Sequence, residues 1–287
     1  MFLKDARDYQ ILFLSLFLVL GIGTKDWTLR PEMIGVAIAT TLLIQSLAAL
    51  LMHLYLKRTQ NTDRAFNPSL RSALITGLGL SLLLRTDHWT TMALAATLAI
   101  LSKFLCKWQD KHFFNPANFG IIAVLVLTQD AWVSPGQWGE VGWYGLLFAG
   151  TGGLVLHRVG RWDTSVMFLA TYATCLSLRD LWLGWTWDVW FHSLSSGSLI
   201  LFALFMLTDP RSIPNARSAR LLWSGSIAVV TFVLQTQFLL STGVFWALFF
   251  LAPLTLWFDQ IWEAPRFTWD TPATLAISPH PLTRNDP

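Results

Sequence analysis

Two asparagine side chains lie three positions apart at the start of a hydrophobic segment. They belong to the run Phe114-Asn115-Pro116-Ala117-Asn118-Phe119-Gly120. Carboxamides donate and accept hydrogen bonds without carrying charge, and proline disfavours helix at the preceding residue. Lipid offers no partner to a polar group, so such a run must be buried in protein or line a cavity. The run predicts the entry to a broken helix beside a binding site, and a polar helix cap at the membrane surface is an equally good interpretation.

Ionisable side chains are scarce in the hydrophobic segments. Two histidines, Arg85 and Asp209 stand only at segment ends. Proton pumps and carriers of charged substrates usually place such residues within the membrane, which argues against an autonomous proton-coupled transporter. Asp209, in Thr208-Asp209-Pro210, is a candidate site residue, and a helix stop with an ion pair to Arg211 is the alternative.

The sequence contains no motif of an autonomous enzyme. Nucleophile–base triads, phosphate-binding loops and HExxH zinc motifs are absent, so hydrolytic chemistry has no support. Cys106 and Cys175 stand 69 positions apart without a C-x-x-C pattern, which favours two structural thiols over a metal site. We therefore expect no catalytic residue and no metal ligand in this chain.

Composition identifies the class of protein. Of the 287 residues, 54% are hydrophobic and 13% are charged, and the mean hydropathy is +0.49. A soluble domain carries roughly 25% charged residues. The sequence therefore predicts a polytopic protein embedded in a lipid bilayer. The net charge of +3 does not indicate nucleic-acid binding, because the basic residues sort by membrane side.

Ten hydrophobic segments are predicted as membrane helices, on the basis that a spanning helix needs about 20 apolar residues. They lie at residues 10–24, 33–56, 72–84, 89–106, 118–128, 143–157, 164–179, 190–208, 221–239 and 242–261. Together they form a single predicted transmembrane domain, residues 1–263. The proline-rich remainder, residues 264–287, is predicted to be a disordered cytoplasmic tail.

The basic residues give the orientation of these segments. With ten spans, sixteen of the twenty lysines and arginines fall on one side of the membrane. This bias places both termini in the cytoplasm. The four basic residues on the opposite side are Lys25, Arg30, Arg85 and Arg179.

Short and interrupted segments suggest an internal repeat. Residues 72–84 and 118–128 are too short to cross a bilayer and are typical of broken or re-entrant helices. In the second half, Ser195-Ser196-Gly197-Ser198 and Ala252-Pro253 interrupt two segments. Breaks at corresponding places are typical of an inverted repeat with a binding site at its interface. We predict an all-α fold of two inverted five-helix halves. These halves are residues 10–128 and 143–261.

Four motifs occur in the order and spacing of a known family. They are Ser72-Ala-Leu-Ile-Thr-Gly-Leu, the run from Phe114 to Gly120, Ser196-Gly-Ser with Phe205-Met-Leu-Thr-Asp-Pro, and Ala252-Pro253 before Asp259. Over residues 35–262 the chain resembles the RnfD/NqrB family, the membrane proteins RnfD of the Rnf electron-transport complexes and NqrB of the sodium-translocating NADH:quinone reductase. The resemblance implies a ten-helix, urea-transporter-like fold with an inverted repeat, in a bacterial inner membrane.

The same resemblance implies a function. It implies flavin-based electron transfer coupled to cation movement, or a scaffolding role in such a complex, with other membrane and peripheral subunits as partners. The chain would then be at most one subunit of a translocating oxidoreductase. Carried over position by position, the candidate contacts of a non-covalent flavin, riboflavin or FMN, are Thr76, Asn115, Asn118 and Asp209.

One departure from the family concerns covalent FMN. Members that carry it attach it to a threonine in an S/T-G-A-T motif, in the loop after the fifth span. Here that loop reads Ser134-Pro-Gly-Gln-Trp-Gly-Glu-Val-Gly-Trp143 and holds no threonine, and Thr151 lies too deep in the next segment. Without that threonine to form the phosphoester, we predict that this chain carries no covalent FMN.

Two other functions fit the sequence. A permease of the same fold, passing a small neutral solute or flavin without redox activity, is favoured by the missing threonine and the uncharged core. A structural membrane partner, such as an assembly factor, is the third possibility.

Overall fold

Helices make up most of the part of the chain that the computed structural model describes. Described are residues 5–24, 29–60, 68–134, 150–154, 156–157 and 159–269. The loop segment 135–143, on which the covalent-FMN prediction rests, lies outside these ranges. So do residues 270–287 of the predicted tail.

Five helices precede that loop. They are α1 (Ala6–Thr24), α2 (Pro31–Gln60), α3 (Leu70–Leu83), α4 (Trp89–Leu105) and α5 (Pro116–Leu127). After the loop, the described residues between 150 and 159 are helical. The later helices are α6 (Trp162–Leu183), α7 (Trp187–Leu194), α8 (Gly197–Leu201) with its π-helical continuation (Phe202–Met206), α9 (Arg217–Thr236), α10 (Gly243–Leu251) and α11 (Leu254–Ile261).

Length and composition make this a multi-pass membrane protein. Four described helices are long and apolar enough to cross a bilayer: Ala6–Gly23, Pro31–Thr59, Trp162–Leu183 and Arg217–Thr236. Two bent pairs, α7 with the α8–π segment and α10 with α11, raise the number to six if each pair is one span. The prediction of ten spans therefore stays a prediction.

The two bent pairs break where the sequence carries helix-disrupting residues. The axes of α7 and the α8–π segment differ by 52° across Ser195 and Ser196. Those of α10 and α11 differ by 48° across Ala252 and Pro253. Proline removes a backbone donor and clashes with the preceding turn, which accounts for the second bend.

Short helices in the first half end in extended chain. Helices α3 and α5 contain 14 and 12 residues, so they rise only about 21 and 18 Å, less than the hydrocarbon thickness of roughly 30 Å. Strand β1 (Leu84–Thr86) follows α3, and β4 (Ala131–Val133) follows α5. The two strands pair antiparallel, with Arg85 opposite Trp132. This pairing satisfies the backbone groups on the facing edges of β1 and β4.

A tight hairpin joins α4 to α5. Its strands are β2 (Lys107–Trp108) and β3 (Lys111–His112). The turn residues Gln109 and Asp110 both have positive φ angles, 46° and 66°. This is the backbone of a type I′ turn, which matches the twist of a two-residue hairpin. The hairpin brings the lysine and histidine of β3 to the end of the helix bundle.

Small residues and aromatic rings hold the helices together. A Cβ on Gly120 of α5 would lie 2.5 Å from the Ala95 carbonyl oxygen of α4, so the two backbones are in close approach. Phe17 of α1 packs edge-on against Phe205 of the π-helix at a centroid distance of 5.9 Å. The N-terminal helix therefore contacts a helix of the second half directly.

Candidate functional site

A cavity lies where α1, α3 and the start of α5 meet the π-helix and the chain that follows it. It encloses about 860 Å³, including its open mouth. Its wall is mainly apolar, with polar groups concentrated on α3, at Asn115 and near Asp209. Apolar lining residues include Leu14, Ile75, Leu82, Leu201 and Phe205. Polar lining residues include Arg7, Gln10, Ser72, Thr76, Asn115, Thr208 and Asp209.

Three of the four sequence-predicted site residues line this cavity. Thr76, Asn115 and Asp209 come from three different elements and meet on its wall. Asn118 does not line it and lies one turn further into α5, where its side chain is 1% exposed. The structure therefore brings together residues separated by up to 133 positions in the sequence.

Asn115 is both a helix cap and a link between the two halves. Its side-chain oxygen accepts from the backbone N–H of Asn118 at 3.0 Å, which caps the N-terminus of α5. Its amide nitrogen donates to the carbonyl oxygen of Met206 at 3.0 Å. That carbonyl lies at the end of the π-helix, where the last backbone acceptors have no intrahelical partner. The oxygen and the nitrogen of the Asn115 carboxamide thus both form hydrogen bonds within the protein.

Asn118 links α5 to a second broken helix. Its amide nitrogen donates to the carbonyl oxygen of Phe245 in α10 at 3.1 Å. Its side-chain oxygen is buried and has no hydrogen-bond partner among the described residues. The two asparagines therefore fix α5 against the π-helix and α10, which sets the position of the cavity wall.

The α3 face of the cavity carries two hydroxyls. Thr76 donates to the carbonyl oxygen of Ser72 at 2.9 Å. Behind them, the ammonium of Lys103 donates to the carbonyl and hydroxyl oxygens of Ser72, each at 3.2 Å. Lys103 is 8% exposed. Nothing in the sequence marks this lysine as special, because the charge pattern groups it with the many other basic residues predicted to face the cytoplasm.

Asp209 follows the π-helix and points towards the hairpin. Its carboxylate lies 3.6 Å from Nε2 of His112. It also accepts a hydrogen bond from the backbone N–H of Arg211 at 3.2 Å. Burial by itself raises the pKa of the Asp209 carboxyl. Hydrogen bonds from His112 and from the Arg211 backbone, together with the electrostatic attraction of both residues, outweigh that effect. They hold the pKa of Asp209 below its usual range. The side chain is therefore an anion at neutral pH.

A polar network fixes the segment that carries Asp209. Lys111 of the hairpin donates to the carbonyl oxygen of Ile213 at 2.6 Å and to the carboxylate of Asp259 at 2.5 Å. That carboxylate also accepts the backbone N–H of Asn215 at 2.8 Å. The only sequence signal for this network was an isolated acid, Asp259, at the end of the last helix.

The mouth of the cavity is close to electrically balanced. Arg7 pairs with Asp5, and Arg71 pairs with Asp8 at 2.8 Å. The Arg7 guanidinium lies 4.6 Å from the ring centroid of Trp269, which also lines the cavity. Trp269 belongs to residues 264–269, the start of the predicted tail. Paired charges and an aromatic ring at the mouth favour an uncharged ligand.

A family comparison gives a match in the second half of the chain. A model of the NQR2, RnfD, RnfE family matches residues 127–267. This match supports membership of the chain in the NQR2, RnfD, RnfE family. The match begins at the end of α5 and includes every later helix, so it contains the π-helix and Asp209. A comparison with curated proteins found no match.

Members of the NQR2, RnfD, RnfE family form part of multi-subunit membrane complexes. Membership is consistent with a membrane subunit of an electron-transport complex. The described residues contain no group of three or more His, Cys, Asp or Glu side chains arranged to hold a metal ion. The cavity offers an apolar wall with hydroxyl and carboxamide groups, the Arg7 guanidinium and the Asp209 carboxylate, which is a lining typical of a ligand-binding site.

Proposed function

We propose that this protein is a membrane subunit of an Rnf- or NQR-like electron-transport complex and holds a flavin non-covalently in the cavity. One observation carries the proposal: Thr76, Asn115 and Asp209, selected from the sequence as flavin contacts, line the same cavity. Family membership supports the electron-transport role. A bound flavin would supply one- or two-electron transfer.

The residues present fit an isoalloxazine ring. Ligand pockets are mostly apolar and carry a few precisely placed polar groups, and the lining of this cavity has that composition. Ile75, Leu82 and Phe205 provide apolar surface for the faces of a planar ring. Ser72 and Thr76 provide hydrogen-bonding groups for its polar edge. The balanced mouth suits riboflavin better than the phosphate of FMN.

Non-covalent attachment is part of the proposal. The S/T-G-A-T threonine of the family is absent from the sequence. Thr151 is helical and is not among the residues that line the cavity. Retention of a flavin would then depend on the cavity alone, so the flavin should leave on unfolding.

The finer architecture is also proposed. We infer ten membrane segments in two inverted halves, similar to urea transporters, in a bacterial inner membrane. Short helices α3 and α5 and the two bent pairs support this arrangement, since they are the discontinuous elements expected at a repeat interface. Arg7 contacts Trp269, and Arg266 contacts Gln109. These contacts bring both ends of the described chain to the same end of the bundle. A cytoplasmic location of both termini requires such an arrangement.

Partner subunits complete the function. Electrons would reach and leave the flavin through other membrane and peripheral subunits, and cation movement would depend on the assembled complex. Exposed apolar faces such as that of α2, with Leu43, Leu47 and Leu51, offer surface to lipid or to such subunits.

A bulky side chain at Gly79 tests the cavity directly. Gly79 lines the cavity, and a Cβ there would lie 3.7 Å from Ala117 Cβ, an ordinary contact. We expect Gly79→Phe to fill the slot and to abolish flavin retention by the purified protein, measured by absorbance near the flavin bands. Gly79→Ala is the matched control and should retain the flavin.

Two results would contradict the proposal. Flavin bound equally by Gly79→Phe would place it elsewhere in the molecule. If neither the wild-type protein nor its native complex contained flavin, while proteoliposomes took up labelled riboflavin or urea, a permease would replace the redox subunit.

A further inference from the structure

A buried lysine lies directly behind the cavity wall. The ammonium of Lys103 contacts Ser72 through two hydrogen bonds, both at 3.2 Å. Ser72 lines the cavity, whereas Lys103 does not. Any influence of this lysine on a ligand therefore passes through Ser72.

Lys103 has an unusual electrostatic environment. Its side chain is buried, and within the described ranges no carboxylate forms an ion pair with its ammonium. Asp209 and Arg211 act on it from further away and in opposite senses. Burying a charge without an adjacent counter-ion is costly, so a neutral residue would be less costly at this position. A neutral apolar residue at position 103 could not form the hydrogen bonds that Lys103 donates to Ser72.

Those bonds determine which groups face the cavity. A hydroxyl has one donor and two acceptor sites. Ser72 Oγ accepts from Lys103, so its own O–H is directed away from the ammonium. Thr76 donates its proton to the carbonyl oxygen of Ser72 and keeps its oxygen available as an acceptor. A donor and an acceptor thus lie one helical turn apart on the same wall.

We infer that Lys103 is a positioning residue that turns the Ser72 hydroxyl towards the cavity and polarises it. The Ser72–Thr76 pair then recognises a ligand edge that alternates carbonyl oxygens with N–H groups. This inference rests on the proposed function, because the pyrimidine edge of a flavin has that pattern. Loss of a hydrogen bond that leaves a buried polar group unsatisfied corresponds to a change in affinity of about tenfold.

Riboflavin titration of the full-length protein in detergent tests the inference. Quenching of riboflavin fluorescence gives the affinity, and the visible spectrum of the bound ring reports its hydrogen bonding. Lys103→Met is expected to weaken binding at least about tenfold and to shift the absorption maximum. Lys103→Arg, which keeps a long basic side chain with N–H donors, should restore most of the affinity. Lys107→Met, at an exposed position four residues along, should change neither value.

A double-mutant cycle separates positioning from general stabilisation. Ser72→Ala should weaken binding about as much as Lys103→Met, and the combined variant should be no weaker than either, because the two residues act as one unit. Thermal midpoints measured in parallel separate loss of binding from loss of fold. Additive losses, or a Lys103→Met affinity equal to that of Lys107→Met, would overturn this inference and leave the flavin site intact. Absence of riboflavin binding by the wild-type protein would refute the flavin site and this inference together.

Discussion

Replacement of Asp163 by alanine is expected to lower the free energy of unfolding by about 3–5 kcal/mol. Asp163 lies in the first turn of α6 and pairs with Arg220 of α9, with an Nη2–Oδ2 distance of 2.7 Å. Both residues are 5% exposed. Removing the carboxylate leaves a buried guanidinium without its counter-ion, which costs far more than losing an exposed pair.

The Asp163 substitution should also affect the cavity. Arg220 also donates to the carbonyl oxygen of Asn215 at 2.6 Å, and Asn215 is held by Asp259. This segment follows Asp209, so Asp163→Ala should reduce flavin affinity as well as stability.

Arg217 provides the matched control for this prediction. It lies 3.6 Å from the same carboxylate, but its side chain is 67% exposed. Exposed ion pairs contribute about 0–1 kcal/mol, so Arg217→Ala should have little effect. Tryptophan fluorescence recorded during titration with a denaturing detergent gives the free energy of unfolding of both variants. Equal stability of the two variants would show that the buried pair does not hold α6 to α9.

Replacement of Gly120 by alanine is expected to destabilise the packing of α4 against α5 by about 1–3 kcal/mol or more. The added Cβ would lie 2.5 Å from the Ala95 carbonyl oxygen and 2.9 Å from the Ala99 Cβ. Neither neighbour can rotate away, because one is backbone and the other has no rotamer. The helices would have to separate, which would also move the Asn115 cap at the start of α5.

Gly79→Ala is the control for this second prediction. Both glycines are helical, but the methyl group at position 79 meets only an ordinary contact at 3.7 Å. Alanine is favoured over glycine in helices by roughly 0.5–1 kcal/mol, so this variant should be as stable as the wild type or slightly more stable. A Gly120→Ala protein with an unchanged melting temperature would contradict the close approach of α4 and α5.

Local sequence signals were sufficient for the membrane class and for two of the residues on the cavity wall. Asn115 precedes proline at the start of an apolar run, which is enough to predict a cap and a break without knowledge of its neighbours. Asp209 stands out because acids are rare in this chain. Both predictions use short-range rules, and both residues lie on the cavity wall.

Long-range partners could not be predicted in the same way. Asn115 contacts Met206 and Lys111 contacts Asp259, pairs separated by 91 and 148 positions. No periodicity or motif connects such residues. Lys103 was missed for a related reason, since its burial depends on how α4 packs against α3 and not on its own segment. Local pattern does not fix the number of spans either, because α3 and α5 are shorter than a bilayer.

An absorption and fluorescence spectrum of the detergent-purified protein tests the flavin site most directly. The spectrum is recorded on the folded protein and again on the filtrate after denaturation. Non-covalent binding predicts flavin bands on the folded protein and their complete passage through the filter after unfolding. Fluorescence that stays on the protein in a denaturing gel would contradict non-covalent attachment, and a colourless wild-type protein and native complex would contradict the flavin site itself.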